Sequence, residues 1–471
     1  MRLLIPLVCL AAAALAAPPN IVLIVSDDQG WNDVSFHGGE IRTPNIDRIA
    51  REGVQLDRFY VCPVCSPTRA GMLTGRYPIR FGMQRAVCRP FLDVGLPPEE
   101  ITIPEMLAQA GYRARAAIGK WHVGHAFERF HPLNQGFTFF YGHYNGNIDY
   151  FTHERDGELD WHRNLLSSHD EGYSTDLIAD EAVRFIQNRK GVGPFFLYVP
   201  FNAPHEPLQV PDKWLDGYAN IADKDRRTYA AMVAAMDAGV GRILDTLDKS
   251  GLAANTLVWF TSDNGGARNG DNTPLRAGKG TLYEGGIRVA AAVRWPAGLE
   301  GGGRKVSGPL AYIDVWPTLA RVAGFPPDPE PSPRPLDGVD VWDVIQGRAQ
   351  PPKRPFFSYY ERYQGERLAM IDYPWKLVRD GPPILGPNSE DAPPKGMKPL
   401  RQDPLTVELF QLDADPYEQN NLAEQQPKRV QDMLDALRHF RAQRPRGGVP
   451  PMTAPDPPGW KPPHEWEMRI Q

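Results

Sequence analysis

Cysteine is scarce in this sequence, which has 471 residues and four cysteines. Cys62 and Cys65 form one CxxC pair, and no second pair exists to complete a four-cysteine zinc site. Basic runs interleaved with aromatic residues are lacking, and the net charge is -5 at pH 7. A nucleic-acid partner is therefore not expected. No segment is apolar for long enough to span a bilayer, so no membrane span is expected either.

The first 17 residues have the pattern of a secretory signal peptide. Arg2 precedes an apolar stretch from Leu3 to Ala17, in which residues 14–16 form an A-x-A cleavage site. The pattern predicts an exported protein, periplasmic or extracellular. Cys9 could instead mark a lipoprotein anchor, but Val8 is bulkier than the small residue such a site requires.

Apolar, β-branched runs alternate with helical patterns along most of the chain. The runs at Asn20–Ser26, Phe195–Val199 and Leu257–Thr261 are typical of strands buried on both faces. Caps and periodicity predict helices over Asn45–Glu52, Ile103–Ala110, Asp176–Asn188 and Asp225–Ser250. Strands alternating with helices indicate an α/β layered fold with a large, mostly parallel central sheet.

The chain is long enough for a large domain and a smaller one. A proline-rich stretch at residues 326–335 precedes a boundary near residue 350, and others lie at 382–399 and 445–463. We expect a large domain over 18–350 and a small α+β subdomain over 351–471. The subdomain would contain strands at Trp375–Val378 and Glu408–Leu412 and a helix at Gln426–Arg441.

Two of the predicted strands end in paired polar residues. Asp27 and Asp28 follow the first strand, and Asp263 and Asn264 follow the last. Ligands gather at the carboxyl ends of parallel strands, so both pairs could converge on one site. Four oxygen donors suit a hard cation, Ca²⁺ or Mg²⁺. Each pair alone would more simply be a turn or a helix cap.

The stretch VCPVCSPTRAGMLTGR places Cys65 at the start of a predicted helix. Ser66 is a suitable N-cap, Pro67 a suitable first helical residue, and Gly75 a suitable stop. The helix N-terminus and Arg69 would favour a bound oxyanion. Two alternatives are a thiolate nucleophile and a redox or metal pair of Cys62 with Cys65. If Cys65 is the functional cysteine, Cys62 and Cys88 could form a disulfide.

These residues carry a resemblance to the type I, formylglycine-dependent sulfatases. The matching stretches, in chain order, are SDDQGWNDV, CSPTRAGMLTGR, GYRARAAIGKWHVG, NAPHEPLQVP, SDNGG and GKGTLYEGGIR. They span roughly residues 20 to 345, and ELFQLDADPYEQNNL resembles a strand of the family's small domain. The resemblance implies an alkaline-phosphatase-like fold and hydrolysis of sulfate esters.

The resemblance also implies the cofactors. Cys65 would be oxidised to Cα-formylglycine by a formylglycine-generating enzyme during maturation. One Ca²⁺ ion would be held by the modified residue and by Asp27, Asp28, Asp263 and Asn264. One hydroxyl of the aldehyde hydrate would attack sulfur, and the other would lose its proton as sulfate is expelled.

The remaining roles follow from matching positions. Arg69 would hold the hydrate, and Lys120 and Lys279 would bind sulfate oxygens. His122 would deprotonate the hydrate, and His205 with Lys279 would act as general acid on the leaving alcohol. A lone histidine or lysine in such a motif is more often structural.

Within the family, the sequence looks closest to the arylsulfatase B type, the N-acetylgalactosamine-4-sulfatases. Stretches such as THERDGE and HEPLQVP support this, and the expected substrates are sulfated sugars of glycosaminoglycan type. Where relatives place a serine near the sulfate, this chain has Gly146 and Asn147. The preferred sugar and the oligomeric state are left open.

Two other functions remain as alternatives. A phosphatase or phosphodiesterase of the same superfamily would need two zinc ions, whereas one cation site is visible and Asn264 is a poor zinc ligand. A catalytically inactive protein that binds sulfated glycans would keep Cys65 unmodified. All catalytic positions are filled, which favours the sulfatase.

Overall fold

A computed structural model describes residues 18–325, 334–362, 365–385, 404–452 and 457–470. The predicted signal peptide, Cys9 and most of the proline-rich stretches at 326–335 and 382–399 lie outside the described residues. Within the described ranges, no helix is both long and apolar enough to cross a membrane.

The larger part of the structure alternates strands and helices. Its strands are β1 (Asn20–Ser26), β2 (Val54–Tyr60), β3 (Ala114–Lys120), β4 (Phe139–His143), β5 (Glu154–Arg155), β6 (Glu158–Leu159), β7 (His162–Arg163), β8 (Leu166–Ser167), β9 (Phe195–Pro200), β10 (Thr256–Ser262), β11 (Arg288–Val289), β12 (Ala291–Arg294) and β13 (Arg304–Ala311). Its helices are α1 (Pro44–Glu52), α2 (Cys65–Thr74), α3 (Ile103–Gln109), α4 (Ser174–Gln187), α5 (Lys224–Lys249), α6 (Glu284–Ile287), α7 (Val315–Val322) and α8 (Trp342–Ile345).

One large sheet forms the centre of this part. The strand order is β11-β2-β12-β10-β1-β9-β3-β4-β7-β8, and β13 pairs with β2. The central strands β10, β1, β9, β3 and β4 are parallel, while β12 and β7 join them antiparallel on either side. The predicted α/β layered fold with a mostly parallel centre is confirmed.

The central strands are buried on both faces, and apolar residues occupy most positions of β1, β9 and β10. In β1, Ile21, Leu23 and Val25 pack into one core, and Val22 and Ile24 pack into the core on the opposite face. A strand alternates its side chains between faces, so a strand covered on both sides is usually apolar along most of its length. This explains why the run NIVLIVS predicts its strand to the residue.

A second, antiparallel sheet follows in the chain. It consists of β14 (Phe356–Arg362), β15 (Gly365–Asp372), β16 (Trp375–Gly381) and β17 (Thr406–Gln411), in that order, with α9 (Pro427–Arg441) packed beside it. Leu377 and Leu409 of this sheet belong to the same apolar core as Ile21 of β1. The two sheets therefore share one apolar core. The domain boundary at residue 350 stays a prediction.

The central sheet should be sensitive to cavities. Leu197 in β9 is fully buried, so we expect Leu197→Ala to cost about 2–5 kcal/mol and lower the melting temperature. The matched control is Leu166→Ala in the edge strand β8, where the side chain is 74% exposed. Thermal unfolding followed by circular dichroism measures both. Equal shifts for the two variants would contradict the described packing.

Candidate active site

The carboxyl ends of β1 and β10 bring the two polar pairs together. The strands are parallel neighbours in which Ser26 lies opposite Ser262, so the residues after each strand emerge side by side. The Asn264 amide donates to Asp28 Oδ1 at 2.8 Å, and the Asp28 backbone N–H donates to Asp263 Oδ1 at 3.3 Å. The structure thus places all four predicted oxygen ligands at one edge of the sheet.

The donor set at this edge fits a cation. Asp27, Asp28, Cys65 and His205 each offer a ligand atom, and these atoms all lie within 4.8 Å of one another. Asp27 Oδ1 and Asn264 Oδ1 are buried and have no hydrogen-bond partner among the described residues. Buried acceptors without donors are costly, and carboxylate and amide oxygens are preferred ligands of hard cations. Within the described residues, this is one such group and no second metal cluster accompanies it.

The two aspartates of β1 have opposite electrostatic environments. Burial, with the neighbouring Asp263 charge, raises the pKa of Asp27 to about 8. Burial also favours the neutral form of Asp28, but Lys279 and His205 outweigh it and hold the pKa of Asp28 below its usual range. A cation beside them would stabilise both carboxylates in the ionised form.

Cys65 lies at the start of α2, as the sequence predicts, but the cap differs. The helix begins at Cys65 itself with Val64 as N-cap residue, so the prediction of Ser66 as N-cap is wrong. The Ser66 hydroxyl is used elsewhere: it donates to the His122 carbonyl at 2.7 Å and accepts from the Cys88 N–H at 3.0 Å. Gly75 ends the helix with φ of 69°, as expected.

The side chain of Cys65 is a buried thiol. Burial raises its pKa to about 11, although Lys120 and Lys279 act in the opposite direction. The unmodified side chain is therefore protonated near neutral pH and is a weak nucleophile. The disulfide considered between Cys62 and Cys88 is absent from the structure. Cys62 Sγ instead contacts Tyr312 Oη at 3.2 Å.

Arg69 ties the Cys65 helix to the two strand ends. Its Nε and Nη2 donate to Asp263 Oδ2 at 3.0 and 2.8 Å, and its Nη1 donates to the Lys120 carbonyl at 3.1 Å. The guanidinium is fully buried. Such a two-pronged contact fixes the carboxylate as well as neutralising it.

The two predicted lysines reach the same carboxylates from different elements. Lys120, the last residue of β3, is fully buried and pairs with Asp27. Lys279 comes from the loop before α6 and pairs with Asp28 at 2.6 Å. Burial opposes its charge, but Asp28 and its other acidic neighbours raise the pKa of Lys279. Lys279 is therefore an ammonium ion at any physiological pH.

The two predicted histidines line the same cavity as Cys65. His122 Nε2 lies 3.2 Å from the Cys88 carbonyl, which requires the proton on Nε2 and leaves Nδ1 with a free lone pair. Burial and Lys120 lower the pKa of His122 well below its usual value. His205 Nδ1 faces the Glu206 carbonyl at 2.7 Å, and burial lowers the pKa of His205 to about 3.

Gly146 makes room for the His122 ring. A Cβ at position 146 would lie 2.7 Å from the ring atoms Cε1 and Nε2, closer than van der Waals contact allows. Gly146 and the neighbouring Asn147 are also the positions at which the sequence is predicted to depart from the relatives' serine. The glycine here is explained by the histidine it contacts.

The second sheet holds the loop that carries Lys279. Lys376 of β16 is fully buried and pairs with Glu284 at 2.9 Å and with Glu418 at 2.8 Å. Arg367 of β15 donates to the Gly280 carbonyl at 2.8 Å, and the Glu284 N–H donates to Glu418 at 2.6 Å. The position of Lys279 thus depends on residues about a hundred positions later in the chain.

The residues that support the Asp28 loop cannot be identified from local sequence pattern. The Tyr229 hydroxyl of α5 lies 3.0 Å from the Asp28 carbonyl and 2.9 Å from Asp33 Oδ2, and its one proton can be donated to either oxygen. Asp33 is fully buried and pairs with Arg226 at 2.7 Å. Tyr229 looks in sequence like any core residue of an amphipathic helix. Asp33, within the motif SDDQGWNDV, was the one available signal.

Known proteins resemble this chain over most of its length. The family described as Sulfatase matches residues 19–325. Arylsulfatase J of Mus musculus is 32% identical over 468 residues, covering 91% of this chain and 77% of that protein. The N-acetylgalactosamine-6-sulfatase of Homo sapiens is 36% identical over 381 residues, covering 74% of this chain and 70% of that protein.

A solved structure agrees with these relatives. Ps i-CgsB, crystallised in complex with k-i-k-neocarrahexaose, superposes with a TM-score of 0.82 at 31% identity, covering 93% of this chain and 95% of that chain. These proteins do not test the arylsulfatase B subtype, which stays a prediction.

The cation site can be tested without any assay of catalysis. We expect EDTA to lower the melting temperature and Ca²⁺ to restore it, because a ligand that binds the folded state stabilises it. Asn264→Ala removes an amide oxygen and should shrink the Ca²⁺-dependent shift. The matched control is Asn188→Ala, at the exposed end of α4, which should leave the shift intact. Recovery with Zn²⁺ and none with Ca²⁺ would contradict a hard-cation site.

The pair of glutamates around Lys376 predicts a pH dependence of stability. Burial, with Glu284 nearby, raises the pKa of Glu418 from 4.5 to about 7. The folded protein then holds this proton more tightly than the unfolded chain, so the stabilising contribution is complete below pH 4.5 and is lost as the pH rises through about 7. Glu418→Gln should remove this loss.

Melting temperatures measured from pH 5 to pH 8 test the assignment. We expect the variant to gain stability relative to the wild type toward pH 8 and little at pH 5. Glu424→Gln, at an exposed position in the same loop, is the control and should follow the wild-type profile. A Glu418→Gln profile parallel to the wild-type profile would refute the raised pKa of Glu418.

Proposed function

Because the chain belongs to the sulfatase family and is a sulfuric ester hydrolase, we propose that it removes sulfate from sulfated sugars with an oxidised Cys65 as nucleophile. The observation that carries the proposal is that several of the predicted site residues line one cavity of about 810 Å³. Its inner end is lined by Cys65, Asp28, His122, His205 and Lys279. These residues come from five separate segments of the chain.

The class of substrate follows from the relatives. One of them is an N-acetylgalactosamine-6-sulfatase, and the solved relative holds a neocarrahexaose. A cavity of this size accommodates a sugar in addition to the sulfate group. We retain N-acetylgalactosamine 4-sulfate, the substrate predicted from the sequence, as the specific proposal, with the 6-sulfate as its direct competitor.

The nucleophile requires modification of Cys65. The thiol, with its pKa raised to about 11, is protonated, and an S-sulfonate formed on it would have no built-in route of release. Oxidation by a formylglycine-generating enzyme would replace the sulfur with a carbonyl oxygen. The hydrated aldehyde supplies one hydroxyl that attacks sulfur and a second whose deprotonation expels sulfate.

His122 is the proposed base for sulfate release. Its Nε2 proton is directed at the Cys88 carbonyl, so Nδ1 is the atom that accepts a proton. Its lowered pKa keeps the ring neutral, as a base must be before it acts. Gly146 leaves the ring the space to hold this orientation.

Lys279 is the proposed proton donor to the leaving alcohol, assisted by His205. Lys279 is always charged, whereas His205, with a pKa of about 3, is neutral and has its proton on Nδ1. The lysine therefore carries a proton that it can donate, whereas Nε2 of His205 carries none. Lys279 and Lys120 would also bind sulfate oxygens, and Arg69 would hold the nucleophile and Asp263 in register.

The oxygens of Asp27, Asp28, Asp263 and Asn264, with residue 65, would hold one Ca²⁺ ion. When bound, the ion would attract the sulfate group and stabilise its developing negative charge. The orphaned oxygens of Asp27 and Asn264 support this assignment. Export, predicted from residues 1–17, is also part of the proposal. The oxidation of Cys65 would take place before or during export.

Mass spectrometry tests the modification of Cys65. Tryptic cleavage releases the peptide Phe59–Arg69, which contains both Cys62 and Cys65. We expect one sulfur to be lost from residue 65 and the thiol of Cys62 to remain, so that the peptide carries its own control. A peptide with two intact thiols in active enzyme would refute the formylglycine mechanism.

Activity measurements test the function itself. Cys65→Ala should abolish turnover of an aryl sulfate and of N-acetylgalactosamine 4-sulfate and 6-sulfate, while the melting temperature changes little. Cys62→Ala, another buried cysteine of the same peptide, should retain turnover. Wild-type protein that keeps Cys65 unmodified when produced with a formylglycine-generating enzyme, and hydrolyses none of these esters, would favour the alternative, a protein that only binds sulfated glycans.

A further inference from the structure

The cavity continues well beyond the residues assigned to sulfate. Its outer wall includes Asn147, Arg155, Glu206 and Pro207, and these same four residues line an adjoining cavity of about 310 Å³. Ligand cavities of ~300–1,000 Å³ hold molecules far larger than one sulfate group. Arg155 therefore stands where a longer substrate would pass from the inner to the outer space.

A tight hairpin presents Arg155 to the cavity. Strands β5 and β6 pair Arg155 with Glu158, which leaves a two-residue turn of Asp156 and Gly157. Both turn residues have positive φ, 54° and 86°, as a type I′ turn requires. This kind of turn defines the direction of the residues on either side of it.

The C-terminal segment holds the hairpin from behind. The indole N–H of Trp466, which is fully buried, donates to the Arg155 carbonyl at 3.0 Å. The Glu465 N–H donates to Glu158 Oε2 at 3.0 Å. The hairpin is thus anchored by a part of the chain that is about three hundred residues away in sequence.

The guanidinium of Arg155 is oriented by a hydrogen bond, and the acidic residues Asp149, Glu154, Asp156 and Glu206 line the same outer cavity. Asn147 Oδ1 accepts a hydrogen bond from Arg155 Nη1, and the ion pair of Arg155 within the described residues is with Asp156 at 3.2 Å. Both side chains of that pair are partly exposed, 25% and 37%. Exposed ion pairs are weak, so a bound oxyanion would compete with Asp156 for this arginine.

Two other arginines line the cavity in less suitable surroundings. Arg89 is stacked over Phe91 with its guanidinium carbon 4.7 Å from the ring centroid. Arg268 also lines a neighbouring cavity together with Asp223, Asp225, Asp271 and Arg226, and no tight hairpin turn adjoins it in the described part of the chain. Arg155 is the arginine that combines a fixed direction with a position on the substrate path.

We propose that Arg155, oriented by Asn147, binds a second oxyanion of the substrate, a sulfate or a carboxylate on the sugar chain, while the reacting ester lies at Cys65. The inference rests on the proposed function. It adds that the preferred substrates carry at least two anionic groups. Arg155 is a specificity-determining residue that takes no part in the chemical step.

The test compares three substrates in the wild type and in Arg155→Ala. They are an aryl monosulfate, a disaccharide with two sulfates, and a disaccharide with one sulfate and one uronate. We expect KM to rise at least about tenfold more for the doubly charged sugars than for the aryl sulfate, with kcat affected much less. The two sugars distinguish a sulfate from a carboxylate as the partner.

Two controls separate specificity from a structural role. Arg184 lies on the exposed face of α4 and is 60% exposed, so Arg184→Ala should change KM to the same small extent for all three substrates. Arg155→Lys should recover part of the lost selectivity because the charge remains. Equal losses on all substrates with Arg155→Ala, or no loss on any, would overturn the proposal.

Binding measurements keep the test independent of catalysis. Calorimetric titration of Cys65→Ala protein with the disulfated disaccharide should give an affinity that falls about tenfold or more when Arg155→Ala is added. This result is expected even if the proposed function fails through lack of turnover. Equal affinity with and without Arg155 would refute the subsite while leaving the proposed sulfatase reaction intact.

Discussion

The structure depends on the compensation of charges buried where β1 and β10 end. Three carboxylates, those of Asp27, Asp28 and Asp263, lie at this edge and are fully or almost fully buried. Ionised carboxylates out of water are costly unless cations approach them closely. Three cationic side chains do so here, and each comes from a different part of the fold. With the carboxylates ionised, these side chains balance the site.

A divalent cation added to this balanced set would leave the site net positive. That state suits a sulfate ester, which carries a negative charge, and it explains why the same lysines can be proposed both as partners of carboxylates and as sulfate ligands. Burial and the Asp263 charge raise the pKa of Asp27, and a cation at this edge would favour its ionised form. The cation and the anionic substrate are thus two consequences of one electrostatic requirement.

The rest of the fold holds the members of this set in place. The parallel register of β1 and β10 sets the carboxylates side by side, and α2 delivers Cys65 and Arg69 from the next segment. The second sheet fixes the Lys279 loop through the buried Lys376. At the cavity's outer wall, the C-terminal Trp466 likewise supports the hairpin that carries Arg155.

The features that follow from local pattern can be predicted from the sequence. Continuous apolar runs predict β1, β9 and β10, because strands covered on both faces are usually apolar along most of their length. The polar pairs after β1 and β10 then predict a shared site. The strand β3 was not predicted as one: its sequence ARAAIGK has few β-branched residues, and its burial comes from neighbouring strands.

Features that rest on distant contacts could not be predicted in this way. Ser66 has the right residue type for an N-cap, yet its hydroxyl bonds to the His122 carbonyl, which no local pattern reveals. The grouping of Lys376 with Glu284 and Glu418, and the support of Arg155 by Trp466, join segments far apart in the chain. Each of these side chains would look like an ordinary surface or core residue in sequence.

The most direct test of the central claim is a crystal structure of the mature protein grown with Ca²⁺, with anomalous scattering used to locate the ion. The account predicts a single ion in contact with oxygens of Asp27, Asp28, Asp263 and Asn264, and a residue 65 whose density has no sulfur. An ion bound elsewhere, a pair of ions at this edge, or an intact thiol in an active crystal would contradict it.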